Sequence, residues 1–278
     1  MSDTIIAGLD LDAPPQARDA LALATWLADV TSSALLLVTV FAPGGDALST
    51  QLERRRRQLG ALADRPVDTM AVAGTAPARL LHELADQRRP RALVIGSSRS
   101  GAEGRVSVGS AGELLLHGGG APVVVAPNGF RPPSGRSIDI GVGYGVTPES
   151  DDAVRVAVDL AKRAGARLRV LHVRVPSPHH EMQERRPGEH LERALAGASA
   201  ECVELEGDPV GAMATASGGL DLLVVGSRSY GPLGAVLLGA VTRRLVHAAE
   251  CPLMVVPRTR DAALAVALIG GMEAAVED

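Results

Sequence analysis

Two tandem α/β domains, each a doubly wound parallel sheet with helices on both faces, are what this sequence predicts, on three observations. The chain repeats itself. Segments 93–127 (LVIGSSRSGAEGRVSVGSAGELLLHGGGAPVVVAP) and 223–257 (LVVGSRSYGPLGAVLLGAVTRRLVHAAECPLMVVP) align without a gap at a constant spacing of 130 positions. Gly96 pairs with Gly226, Gly101 with Gly231, Gly104 with Gly234, Gly109 with Gly239, His117 with His247, Pro122 with Pro252 and Pro127 with Pro257. Apolar strand-like runs such as LLLV, LVI and VVV are unbroken, which means burial on both faces and so a parallel sheet. These runs alternate with stretches of helical period, and βα alternation is solved most economically by helices on both sides of one sheet.

The elements follow in order. Residues 4–9 read as a short buried strand. Ala17, Ala20, Leu21, Ala24, Leu27 and Ala28 recur at helical spacing. Ala34–Phe41 is a second apolar strand, stopped by Pro43, Gly44 and Gly45. Leu48, Leu52, Leu59 and Leu62 mark a helix stripe, Val67–Ala73 a strand, and Gly74 to Asp86 a turn into a helix. Arg91–Ile95 and Pro122–Ala126 complete five strands. Residues 129–135 (GFRPPSG) lack periodicity and read as a linker between units at 1–128 and 136–258. The pattern then restarts. Ser137–Val142 is a strand, Ala153 to Ala164 a helix and Leu168–Val175 a strand. A polar tract, Pro176–Gly188, precedes a helix, the strand Glu201–Glu206, another helix and the strand Asp221–Val225. Residues 259–278 form an Ala-rich tail.

Composition narrows the function. Aromatics are 2% of 278 residues, too few for nucleobase-stacking platforms. Net charge is −4, from 28 basic and 32 acidic residues, so neither nucleic acid nor an anionic membrane is an expected partner. Lys162 is the only lysine, and no GK phosphate loop occurs. The two cysteines, Cys202 and Cys251, form no CxxC, and the N-terminal residues carry no apolar targeting segment; a reducing, cytoplasmic setting is expected. Both repeats run a strand into a glycine loop that opens a helix. In α/β folds this is where phosphate binds: glycine lets an anion approach the backbone, and the helix start presents free N–H groups.

On these residues the chain resembles the universal stress protein family in its tandem, two-domain form. The family pattern G-x2-G-x9-G-[S/T] falls on Gly96, Arg99, Gly109 and Ser110 in the first copy, and on Gly226, Ser229, Gly239 and Ala240 in the second. "CPLMVV" at Cys251–Val256 and "APVVVAP" are similar to its last strand, and "AGLDLD" with Asp10 is similar to its opening. In the second copy Gly145 stands where the Asp would be. The resemblance implies an adenine nucleotide alpha hydrolase-like fold with strand order 3-2-1-4-5. It also implies two halves paired through their last strands as an internal pseudo-dimer. The ligand it implies is ATP, or AMP or ADP, with Mg²⁺. Asp10 would hold ribose and the backbone near Val40 and Val173 would read adenine. The phosphate loop would be Gly96 to Ser110, or Gly226 to Val241. Arg99 and Ser229 replace the second glycine, and Gly101 and Gly231 are extra glycines able to take over close approach. The first site is the more complete. The expected role is a non-enzymatic regulatory or stress-tolerance factor with a protein partner and scope for homo-oligomers; the rival role is a nucleotide-independent scaffold with relic loops.

Other constellations are weighed against structural explanations. The bland role of the repeat glycines is tight strand-to-helix packing, and Asp10 could be a helix N-cap or turn former. Ser217-Gly218-Gly219-Leu220-Asp221 has the letters of an SGGxD phosphate loop but follows a helix and feeds a strand, so it reads as a helix end. His179, His180, Glu181, Glu184 and His190 lack metal-ligand spacing. In the Arg54–Arg57 run only Arg55 lies near the apolar stripe, where it would snorkel. His172 and Cys251 read as structural. No acid–base or nucleophile set can be assembled.

Overall fold

The computed structural model describes residues 3–135, 137–175, 188–227 and 238–257. In the first half β1 (Thr4–Gly8), α1 (Pro14–Thr31), β2 (Ala34–Phe41), α2 (Leu48–Leu62) and β3 (Asp68–Ala73) are followed by α3 (Pro77–Arg88), β4 (Ala92–Gly96), α4 (Ser110–Gly118) and β5 (Val123–Ala126). The second half repeats the order: β6 (Asp139–Gly143), α5 (Pro148–Ala164), β7 (Arg167–Arg174), α6 (Gly188–Leu195), β8 (Glu201–Glu206), α7 (Pro209–Ser217), β9 (Leu222–Gly226), α8 (Ala240–Leu245) and β10 (Leu253–Val256). Among these helices none is long and apolar enough to cross a membrane.

The strands form one ten-stranded sheet, β3-β2-β1-β4-β5-β10-β9-β6-β7-β8. Each half is therefore a parallel 3-2-1-4-5 sheet, and the order is a palindrome. The halves meet at β5 and β10, the one antiparallel pair among the described strands, with Val124 opposite Met254. Aliphatic burial on both faces holds this arrangement. Ile5, Ala7, Leu37, Val94, Val124, Val224 and Met254 pack under α1 and α5, while Ile6, Val38, Leu93, Val125, Leu223 and Val255 pack under α3, α4, α7 and α8. A period-2 strand buried on both sides must be apolar throughout, which explains the runs seen in the sequence.

Helix starts follow local chemistry. Proline opens α1, α3, α5 and α7, where its missing N–H has no partner to lose. Thr147 caps α5 through a reciprocal box with Ser150. The halves are also tied by charge. Arg91, with its side chain 8% exposed, bonds Asp3 in its own half and Asp159 on α5 in the other. Arg163 adds to both carboxylates, at 3.7 Å to Asp3 and 3.1 Å to Asp159. Arg91 and then Arg163 hold the Asp3 carboxyl below the usual carboxylate range.

The stretch after β5 is anchored to the first half. Asn128 and Gly104 bond through Gly104 N–H to the Asn128 carbonyl (2.9 Å), and the Phe130 ring lies 6.4 Å from that of Trp26. Gly129 N–H donates to the buried Asp19 carboxylate at 2.9 Å. Burial lifts the Asp19 carboxyl above its ordinary value of 3.8, with the Gly129 bond and Arg131 opposing and Glu103 adding to the rise. The folded chain thus holds this proton more tightly than the unfolded one. The stability that protonation gives is complete below the ordinary value and lost as pH rises through the raised one. Asp19→Asn keeps an oxygen to accept the Gly129 N–H. It is expected to melt above wild type at neutral pH, with the gap closing near about pH 3. A wild type that melts higher at neutral pH would contradict this.

Candidate functional site

A cleft of about 530 Å³ opens at the carboxyl ends of the first-half strands, between β1, β2 and β4 and bounded by α1, α3 and α4. This is the rim where open α/β sheets take ligands, because successive crossovers leave the sheet on opposite faces there. One wall is apolar: Val38, Val40, Ala78 and Leu81 line it. Leu81 reaches in because Gly8 has no side chain; a Cβ there would lie 3.0 Å from Leu81 Cδ1.

At the mouth lie two carboxylates and two guanidinium groups. Asp10 Oδ1 accepts the Asp12 N–H at 3.0 Å, closing a turn after β1. Asp10 is therefore not the N-cap of α1; Ala13 holds that position without a side-chain bond. Asp10 Oδ2 faces the Arg99 guanidinium at 3.7 Å, and Arg99 also donates to the Asp12 carbonyl at 2.8 Å. Asp12 pairs with Arg55 at 3.3 Å, whose guanidinium carbon sits 5.5 Å over the Phe41 ring. Arg55 thus lies flat on the protein, while Arg54, Arg56 and Arg57 are exposed.

The far end is the glycine loop and the start of α4. Ser97 pins the root of the loop. Its buried hydroxyl donates to the Ala126 carbonyl (2.7 Å) and accepts the Ser107 N–H (2.9 Å). Within the loop the N–H groups of Ser98, Gly101, Gly104 and Arg105 donate to backbone carbonyls of the same half, and that of Val106 donates to the Ala249 carbonyl of the other. Gly109, Ser110 and Ala111, by contrast, line the cleft, and their N–H groups find no acceptor among the described residues. They are the unpaired donors with which any helix begins, set at the positive end of the α4 dipole.

Six of the residues singled out from the first copy therefore share one cleft: Asp10, Val40, Gly96, Arg99, Gly109 and Ser110. Their roles differ. Gly96 serves packing, since a Cβ there would stand 2.4 Å from the Gln16 carbonyl oxygen on α1. Gly109 is open, with nothing nearer than 3.9 Å. Gly101 does not take over close approach in the cleft: it packs against Ser107 and Asn128, where a Cβ would meet atoms at 2.5 and 2.6 Å.

In the second copy Gly226 repeats the packing role, since a Cβ there would stand 2.4 Å from the Glu149 carbonyl oxygen, and its own carbonyl accepts the Thr242 hydroxyl at 3.0 Å. Gly239 precedes α8, which Ala240 and Val241 open, and Val173 lies half-buried near the end of β7. Ser229 and Gly231 lie outside the described residues, as do His179, His180, Glu181, Glu184 and the tail from 259. His190 sits exposed on α6. His172 Nδ1 donates to the Tyr144 carbonyl at 3.0 Å, and burial pushes the Cys251 thiol up, so both are structural. Ser217 ends α7 with its hydroxyl on the Ala214 carbonyl, and Gly218 follows as the C-cap, so SGGxD is a helix end.

Beyond Val40, the sequence reading missed the rest of the apolar wall and the floor: Val38, Ala78, Leu81, Thr75, Gln16 and Ser98. Ala78 and Leu81 carried a signal, three positions apart and so on one helix face; the others reach the cleft only through the crossovers.

The Universal stress protein family model matches residues 139–257. A universal stress protein of Thermus aquaticus is 31% identical over 130 residues, covering 41% of this chain and 95% of that protein. One of Mycobacterium tuberculosis is 28% identical over 199 residues, 64% of this chain and 68% of that one. The crystal structure of a universal stress protein from Archaeoglobus fulgidus superposes with a TM-score of 0.64 over 93% of this chain and 99% of that chain; at 16% identity it speaks to the fold. With a 3-2-1-4-5 sheet in each half, the glycine-loop repeat and a relative above 30% identity matched over 95% of its own length, the chain belongs to the universal stress protein family.

Proposed function

We propose that the chain binds one adenine nucleotide (ATP, or its shorter relatives ADP and AMP) in the first-half cleft, and acts as a regulatory, stress-tolerance factor. The observation that carries this is the cleft itself, where an apolar wall, a carboxylate and three unpaired helix-start amides face one another across a volume within the usual range for small-ligand sites. Adenine would lie against Val38, Val40, Ala78 and Leu81. Ribose hydroxyls would donate to Asp10. Phosphate would accept from the amides of Gly109, Ser110 and Ala111, from the Ser110 hydroxyl and from Arg99. The Arg99–Asp10 pair is long and exposed, so parting it costs little; a nucleotide would exchange it for two better contacts, phosphate on Arg99 and ribose on Asp10. Among the described residues no cluster of three or more His, Cys, Asp or Glu could hold a metal, so Mg²⁺ would arrive on the phosphates. The second copy carries Gly145 and Ala240 where the first has Asp10 and Ser110, and we read it as empty of nucleotide. Residues 1–128 and 136–258 are the two family units in this reading. Bound nucleotide would bias the surface around the loop, and a protein partner would sense that bias.

ATP–Mg²⁺ is expected to raise the melting temperature, by the equivalent of about 2.7 kcal/mol at a hundredfold excess over Kd. Arg99→Gly is expected to weaken binding roughly tenfold, the loss of one charge-assisted contact. No melting response in wild type would leave the scaffold reading in its place, and tighter binding by Arg99→Gly would make Arg99 an obstruction.

A further inference from the structure

The glycine loop of the first half is held by the second half. Val106, whose side chain is fully buried, donates its N–H to the Ala249 carbonyl at 2.9 Å. The neighbouring Arg105 guanidinium pairs with Glu250 at 2.6 Å. Glu250 is itself fixed: its N–H donates to the Ser217 hydroxyl at 2.8 Å, at the end of α7. None of Val106, Arg105, Ala249 or Glu250 lines the cleft.

The repeat gives the ion pair a direction. The 130-position spacing places Ala235 where the first copy has Arg105, and Gly120 where the second has Glu250. The reciprocal ion pair has no side chains with which to form. The half whose loop carries the ion pair is the half that keeps Asp10 and Ser110.

We infer that the second half has become a positioning device for the first: Arg105 and Glu250 are positioning residues that hold the glycine loop in the form that leaves Arg99 and the α4 amides open to an anion, so nucleotide occupancy is coupled to the contact between the halves. The coupling rests on the nucleotide reading; the clamp rests on geometry alone. By linkage, a ligand that needs the ordered loop tightens the clamp as much as the clamp tightens the ligand.

The test uses the full chain as wild type, Glu250→Ala, Arg105→Ala and the charge-swapped double variant Arg105→Glu/Glu250→Arg. Two readouts are taken: amide hydrogen exchange of the peptide covering 98–107 without ligand, and the Kd for ATP–Mg²⁺ by calorimetry. Each single variant should exchange faster in that peptide and bind ATP–Mg²⁺ about three- to tenfold more weakly, with melting temperature nearly unmoved; the double variant should recover both. Unchanged exchange in Glu250→Ala, or equal affinity in wild type and Glu250→Ala, overturns the inference. Faster exchange in Glu250→Ala together with no nucleotide binding by wild type upholds the clamp and removes the nucleotide reading.

Discussion

Gly96→Ala and Gly226→Ala should each destabilise the chain by about 3 kcal/mol, the upper part of the range for overpacking. In each copy the new methyl would stand 2.4 Å from a backbone oxygen in the first turn of the helix that covers the strand, Gln16 of α1 or Glu149 of α5. A side chain could rotate away; a helical carbonyl cannot without lifting the helix from the sheet. The helices concerned carry the core of their halves, including Ala20, Leu23, Ala24 and Leu27 on α1 and Ala153, Ala157 and Leu160 on α5. Gly109→Ala is the control. Its methyl meets nothing nearer than 3.9 Å, and the backbone there is extended, so stability should move by no more than about 0.5 kcal/mol. Urea midpoints of the three variants check this. A Gly96→Ala chain as stable as wild type would mean that α1 is not seated on β4 as described.

The second large effect concerns the join between halves. Val124 and Met254 face each other at the centre of the antiparallel pair, both with no exposure to solvent. Val124→Asp would put a carboxylate there among Val, Ala and Met side chains. The penalty for an unpaired buried charge is on the order of 4 kcal/mol even after the group takes up a proton. That is a large part of the stability of an ordinary domain. The expected result is a collapsed unfolding midpoint, or no cooperative transition, seen by circular dichroism. Leu114→Asp, on α4 with the leucine 62% exposed, should behave as wild type. Normal stability in Val124→Asp would contradict one continuous sheet across the two halves.

The strands were legible because each is buried on both faces, and a run such as Ala34–Phe41 leaves little choice; its observed limits are those the apolar pattern gives. Glu201–Glu206 at the sheet edge is legible for the opposite reason, by alternation, with Val203 and Leu205 turned inward. The strand order and the pairing of the halves through their last strands came from the family resemblance, since periodicity says nothing about which strands are neighbours; that this pair runs antiparallel is a finding of the structure. Glycines signalled a loop but not its use. The same letter marks a packing contact at Gly96, a tight fit against Asn128 at Gly101 and an open helix start at Gly109. Buried polar groups were the hardest. Gln51 is buried because it bonds both the N–H and the carbonyl of Gly44, and Arg91 because it joins carboxylates in two halves; nothing local announces such partners. Arg105 and Glu250 are 145 positions apart. The one trace they leave is a difference between the copies, Arg105 against Ala235 and Glu250 against Gly120.

Calorimetric titration of the purified chain with ATP–Mg²⁺, repeated with Asp10→Ala, tests the central claim most directly. The account predicts a single nucleotide per chain in wild type and its loss, or a drop in affinity of about tenfold or more, in Asp10→Ala. Two nucleotides per chain, or one whose affinity Asp10→Ala leaves untouched, would contradict it.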